Sequence, residues 1–282
     1  QNARVPMLMF LTINIVNILL DLLFVIVLGM KVEGVALASV IAEYSGFALG
    51  LWFASAELRS RTGAWPVHRL VRLKEYTAFF AVNANLFVRT MALMFTIAFV
   101  TAQGARMGQV VLAANAVLMN LQNLTAFGLD GIAHAAEALV GKAVGQKRRD
   151  ALNIAVRLSL KWSLWFALGF SAAYMLGGPA LIRLLTDLPD VRAAALTYLP
   201  FLVASPLISV WSFLYDGVFV GATRAREMRD IMLFSTLAVF LPAWFLLADY
   251  GNYGLWAAFL LFLASRGIGM HVYYRRKVLP AV

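Results

Sequence analysis

The sequence has no cysteine, only three histidines, and 13% charged residues, about half the share usual in a soluble domain. Without cysteine there can be no disulfide and no thiolate metal site, and the redox compartment stays open. There is no glycine-rich phosphate loop ending in Lys-Ser/Thr, so ATP-driven transport is set aside. No serine–histidine–carboxylate arrangement supports hydrolysis, and the chain does not read as an enzyme. His134 and Glu137 lack a third ligand at convergent spacing, so neither a metal nor an organic cofactor is expected. What fills the 282 residues is apolar side chain, at 62% with a mean hydropathy of +0.80. A soluble core could not hide that excess, whereas lipid as solvent can.

Eight segments are long and apolar enough to cross a bilayer as helices: residues 5–28, 32–56, 76–101, 111–140, 151–176, 193–220, 231–248 and 253–273. One such run fits a buried helix of a soluble bundle; eight in succession fit an all-α polytopic membrane protein. Two joints are tight, Gly29-Met30-Lys31 and Asp249-Tyr250-Gly251-Asn252, and glycine and polar residues there permit reversal between antiparallel neighbours.

The formal charge of +10 is distributed by side. Arg4 and the basic clusters at 59–74, 142–149, 224–229 and 275–277 fall on one side. Lys31, Arg106, Arg183 and Arg192 fall on the other, and Arg89, Arg157, Lys161 and Arg266 lie within or at the edges of spans. This asymmetry over alternating short loops is a positive-inside signal that puts both ends in the cytoplasm and argues against a nucleic-acid partner. The longest connector, 57–75, holds Pro66 and an amphipathic pattern of Trp65, Val67, Leu70, Val71 and Leu73 among Arg69, Arg72 and Lys74. It reads as a cytoplasmic linker, partly helical, on anionic headgroups, with a plain solvated loop as the alternative.

Glu33-Gly34-Val35-Ala36-Leu37-Ala38 opens the second segment and Tyr253-Gly254-Leu255-Trp256-Ala257-Ala258 the eighth, six spans later. A weak repeat at that period suggests two parallel six-helix halves. Residues 1–56 then close the first lobe, 57–75 link the lobes, and 76–282 form the complete second lobe. Four further helices of the same protein are expected ahead of Gln1. Twelve helices around a central cavity are the plan of a secondary transporter.

Polar side chains at membrane depth are functional candidates because each is costly unless paired or wet. On the first segment Asn17 and Asp21 are four apart and share a face, and Ser39 on the next segment can join them in an oxygen-lined site for a proton or sodium ion. A packing cluster of hydrogen bonds is the alternative. The third segment carries Arg89, which needs a carboxylate or a wet cavity. The fourth carries Asn115, Asp130, His134 and Glu137, of which the last three line one stripe, fitting a proton-responsive cavity wall. Arg89 can pair with Asp130 or Glu137. Glu43 on the second segment, and Tyr215 and Asp216 on the sixth, are further cavity candidates, and Pro200 and Pro206 are expected to bend the sixth helix. Gly141, Gly145, Gly217 and Gly221 read as packing or turn residues.

Several of these stretches together resemble the multidrug and toxic compound extrusion (MATE) family, and within it the branch named after the DNA-damage-inducible protein F. They are Asn14-Ile-Val-Asn-Ile-Leu-Leu-Asp21, Glu33 to Ala38, Asn85-Leu-Phe-Val-Arg-Thr90, Ala113-Ala-Asn115, Leu129-Asp-Gly-Ile-Ala-His-Ala-Ala-Glu-Ala-Leu-Val-Gly141, and Asp216-Gly-Val-Phe-Val-Gly221 with Thr223 and Met228-Arg-Asp230. The resemblance covers the whole chain and corresponds to helices five to twelve. It implies a twelve-helix antiporter of the bacterial cytoplasmic (inner) membrane that expels organic cations and other amphipathic compounds against entering protons or sodium. It further implies that Asn17, Asp21 and Ser39 match first-lobe positions of cation coupling, in a network completed by an aspartate on the family's first helix. Asp216 matches a second-lobe helix where some members bind sodium. Their companion glutamate has no counterpart in residues 83–96, which favours coupling in the first lobe, with the proton preferred over sodium.

A flippase for lipid-linked precursors shares the architecture but predicts a strongly cationic cavity, and Arg89 reads as the one mid-span arginine. A non-transporting scaffold or receptor predicts Asp21, Asp130 and Asp216 paired away from any cavity. A channel would need a repeated pore-lining ring, which is not seen.

Overall fold

The computed structural model of the chain describes residues 4–59 and 76–281. Among them, eight helices are long and apolar enough to cross a membrane, matching the eight apolar runs of the sequence. The chain divides into two compact units, one holding α1 (Arg4–Asp21) and α2 (Val32–Arg59) and the other everything from Tyr76 onward. The second unit comprises α3 (Thr77–Arg106), α4 (Gln109–Gly145), α5 (Arg149–Leu185), α6 (Pro189–Gly221), α7 (Ala225–Phe234), α8 (Leu241–Leu247) and α9 (Asn252–Tyr273). α7 and α8 form one span, Ala225–Tyr250, joined by a π-helical turn at Ser235–Phe240.

In the first unit α1 continues through a π-helical stretch, Leu22–Val27, that begins directly after Asp21. The reversal turns on Gly29, at φ 66°, a conformation cheap only for glycine. α2 then presents Gly34, Ala38, Ala42 and Gly46 at four-residue intervals, all buried, while most of the large apolar residues of both helices are exposed. This is small-residue packing, which in lipid replaces the greasy seam of a soluble bundle. A methyl added at Gly46 would run into Ile13 of α1. Glu57 to Arg59, expected in the linker, belong to α2 because the helix continues that far. The remainder of the amphipathic linker expectation lies outside the described residues.

The second unit is organised around α6, which packs against α4, α5 and α9. α6 runs as one helix through Pro200 and Pro206. α4 and α6 touch backbone to backbone. A methyl added at Gly217 would collide with the Ala133 carbonyl oxygen, and one at Gly221 with that of Glu137. α3 packs mainly against α7. The early glycine of the suspected repeat has the same job in both units. Gly251 (φ 57°) turns the chain, and a methyl at Gly254 would strike the Leu247 carbonyl oxygen, as one at Gly34 would come within 2.7 Å of the Met30 Cβ.

Two joints of the second unit close identically. After α4, the N–H of Lys147 donates to Val144 O and that of Arg148 to Ala143 O; after α6, the N–H of Thr223 donates to Val220 O and that of Arg224 to Phe219 O. These are paired Schellman caps, yet the left-handed positions hold Lys147 (φ 53°) and Thr223 (φ 57°) instead of glycine. A β-branched side chain is poorly suited there. Thr223→Gly is therefore expected to stabilise the protein by about 0.5–1 kcal/mol after the entropy of glycine is counted. A thermal melt of the detergent-solubilised protein checks it; an unchanged or lowered midpoint would mean that Thr223 is held by something beyond its cap.

Candidate functional site

In the first unit α1 and α2 bring together two of the three residues singled out for cation coupling, Asn17 and Ser39. Asn17 Nδ2 donates to Ser39 Oγ at 3.3 Å, and Ser39 Oγ donates to Val35 O at 3.0 Å. Asp21, one turn beyond Asn17, has a buried Oδ1 with no hydrogen-bond partner. A buried carboxylate oxygen without a donor is costly and marks a place where a proton or cation can be accommodated. Glu43 stands on the exposed side of α2 and makes no hydrogen bond or ion pair among the described residues.

In the second unit α3, α4, α6, α7 and α9 line a partly open cavity of about 490 Å³. Its wall includes Arg89, Asp130, His134, Glu137, Asp216 and Arg266. The stripe on α4 thus faces one space, with His134 Nδ1 3.4 Å from Glu137 Oε2. The apolar wall includes Met94, Phe127, Phe213 and Phe259. Three carboxylates stand against two guanidinium groups, so the wall is mixed in charge and amphipathic.

Arg89 departs from the sequence expectation. Its partner is neither Asp130 nor Glu137 but Asp216 on α6, whose Oδ2 accepts from Arg89 Nη2 and, at 2.9 Å, from Arg266 Nη2. Arg266 is the functional residue that sequence reasoning missed. It was placed with the residues within or at the edges of spans, but it lies well inside Asn252–Val278 with only 2% of its surface exposed. Its guanidinium carbon also sits 5.4 Å from the centre of the Phe262 ring, a cation–π contact. Arg89 is therefore not the one mid-span arginine. The signal available was a lone charge within an otherwise apolar run, the same signal that had flagged Arg89. With both guanidinium groups on one oxygen, Asp216 has its counter-ions built in, and Asp216 Oδ1 and the Nε atoms of both arginines remain buried without partners.

Two other candidates do not line this cavity. Asn115 is buried and pairs with Asn252 through amide bonds of 2.8 and 2.9 Å, and its Oδ1 also accepts from Trp256 Nε1 at 2.9 Å. That is interhelical glue between α4 and α9, satisfied in full. Tyr215 is buried on the other side of α6, with its hydroxyl 2.6 Å from His271 Nδ1. It neighbours Asp216 in sequence, but consecutive residues on a helix point about 100° apart.

The family profile described as MatE matches residues 84–245, more than half of the chain. The chain belongs to the MatE family. It is 38% identical over 276 residues to the DNA damage-inducible protein F of Escherichia coli K12, a match covering 98% of this chain and 60% of that protein. It is 26% identical over 255 residues to Protein DETOXIFICATION 42 of Arabidopsis thaliana, covering 90% and 48%. Its fold is that of the Vibrio cholerae MATE transporter VcmN in the bent form, with a TM-score of 0.82 at 18% identity, covering 99% of this chain and 64% of that one. The chain thus spans roughly half to two-thirds of the MatE relatives it matches.

Proposed function

We propose that the chain is the greater part of a secondary antiporter of the DNA-damage-inducible protein F branch, exporting organic cations and other amphipathic compounds against protons, or alternatively sodium. The observation that carries this reading is the cavity of the second unit, where Asp130, Glu137 and Asp216 share a wall with aromatic and methionine side chains. Such a lining suits poorly discriminated amphiphiles carrying positive charge. The 38% identity to the E. coli protein supports the branch.

The coupling site is assigned to Asn17, Asp21 and Ser39, because Asp21 keeps a buried carboxylate oxygen free for a proton or cation and, unlike Asp216, has no arginine bonded to its carboxylate among the described residues. Asp216 is already neutralised by Arg89 and Arg266, which removes the reason for a metal cation to bind it. Ion uptake at Asp21 changes which lobe arrangement is lower in energy, and substrate leaves outward as the ion enters. The coupling is reciprocal: substrate must alter ion affinity by the factor by which the ion alters substrate affinity. In this reading residues 1–56 end the first lobe, 57–75 link the lobes and 76–282 form the second, in a bacterial inner membrane with both ends cytoplasmic. Four helices of the same protein complete the first lobe. The flippase reading gains Arg266 as a second buried cation, but the carboxylates still outnumber the guanidinium groups.

The test is efflux of a fluorescent organic cation from proteoliposomes of the full-length protein, under separately imposed proton and sodium gradients. Gradient-driven efflux is expected, with Asp21→Asn abolishing it while the protein stays monodisperse. Transport undiminished in Asp21→Asn would remove the coupling site from this position, and no transport under either gradient would favour a flippase.

A further inference from the structure

α5 has 37 residues, about 55 Å of helix, far more than the roughly 30 Å of a hydrocarbon core. The surplus has a definite place. Between Lys161 and Arg183 no residue is charged, and that stretch rises about 32 Å, the thickness of the core. Lys161 therefore sits at one hydrocarbon boundary, flanked by exposed Trp162 and Trp165, the residues favoured at membrane interfaces. The preceding turns of α5, with Arg157 and Arg149, stand in the headgroup layer.

Arg157, Lys161 and Trp165 follow one another at four-residue intervals and with Leu160, Leu164 and Leu168 line a shallow groove of about 410 Å³. Arg157 and Lys161 are exposed and have no ion pair among the described residues. The one carboxylate on α5 is Asp150, about two turns before Arg157. Like charges at i and i+4 on a helix repel, so this pair calls for an external anion.

We propose that this stripe is a binding site for an anionic phospholipid. Its phosphate is held between Arg157 and Lys161, and an acyl chain lies along Leu164 and Leu168 over Trp165. The occupant follows from the chemistry: the cations lie at headgroup height, the leucines continue from them into the hydrocarbon layer, and a lipid alone presents an anion joined to an apolar chain in that order. The proposal is independent of transport and stands whichever substrate the cavity takes.

The experiment is titration of the detergent-purified full-length protein with dioleoyl phosphatidylglycerol or dioleoyl phosphatidylcholine, read by native mass spectrometry and by thermal midpoint. Retention of phosphatidylglycerol over phosphatidylcholine is expected, with a raised midpoint. The double variant R157Q/K161Q is expected to lose roughly thirtyfold in phosphatidylglycerol affinity, while K142Q/K147Q, on basic residues outside the groove, keeps it. Circular dichroism and gel filtration establish that both variants fold. Equal retention of the two lipids by the native protein, or equal loss in both double variants, would overturn the site in favour of diffuse attraction to a basic surface. Inorganic phosphate matching phosphatidylglycerol in midpoint would overturn the role given to the leucines.

Discussion

Asp216→Ala is expected to destabilise the protein by about 3–5 kcal/mol, the cost of stranding a buried charge, and to lower its melting midpoint by about 10 °C. The side chains of Arg266 and Asp216 are 3% and 16% exposed, and Arg89 shares the same carboxylate oxygen. Removing the carboxylate leaves two guanidinium groups in a partly dry wall with no carboxylate bonded to them, only Asp130 and Glu137 elsewhere on the same wall. Asp216→Asn, which keeps an acceptor but not the charge, should fall between. A triple variant, Arg89→Met with Asp216→Leu and Arg266→Met, should recover most of the midpoint, because exchanging a whole buried ionic cluster for apolar groups is often neutral. Differential scanning fluorimetry on the purified full-length protein decides it. A midpoint within a degree of the parent for Asp216→Ala would mean that Asp216 is not the counter-ion.

Gly217→Leu is expected to be at least as damaging, by a different route. Even the first carbon of a side chain would enter the Ala133 carbonyl oxygen, which is backbone and cannot rotate aside. Gly217→Ala should already cost about 1–3 kcal/mol, and Gly217→Leu should prevent normal assembly of α4 on α6. The same series at Gly145, where an added methyl meets nothing within 4 Å, should be nearly silent. Fluorescence-detected size exclusion of the variants provides the comparison, and an equal effect at the two glycines would sink the argument. Because Gly217 adjoins Asp216, Gly217→Ala should also disturb the ion pair with Arg89.

The number of spans was legible because lipid imposes a simple rule on sequence: long apolar runs separated by polar or basic turns. The small-residue stripe Gly34, Ala38, Ala42 and Gly46 went unread in the sequence, although it repeats on one helix face. The stripe of Asp130, His134 and Glu137 follows helical periodicity and does face one cavity. What periodicity could not supply was partnership across the bundle. Arg89 and Asp216 are 127 residues apart, and spacing rules speak only within a helix. Asn115 and Tyr215 show the other limit: a polar residue at depth announces that it has a partner, but not whether the partner is a cavity or a neighbouring helix. The π-helical turns at Leu22–Val27 and Ser235–Phe240 have no residue pattern that betrays them.

The glycine contact between α4 and α6 has a mechanical consequence. With backbone pressed on backbone there is no compliant layer of side chains between the two helices, so they behave as a single stiff spar carrying Asp130, Glu137 and Asp216 at fixed spacing. α3 leans chiefly on α7, so Arg89 approaches that spar from a separate pair of helices. Its bond to Asp216 ties α3 to that spar, so moving α3 away from the spar requires the bond to break.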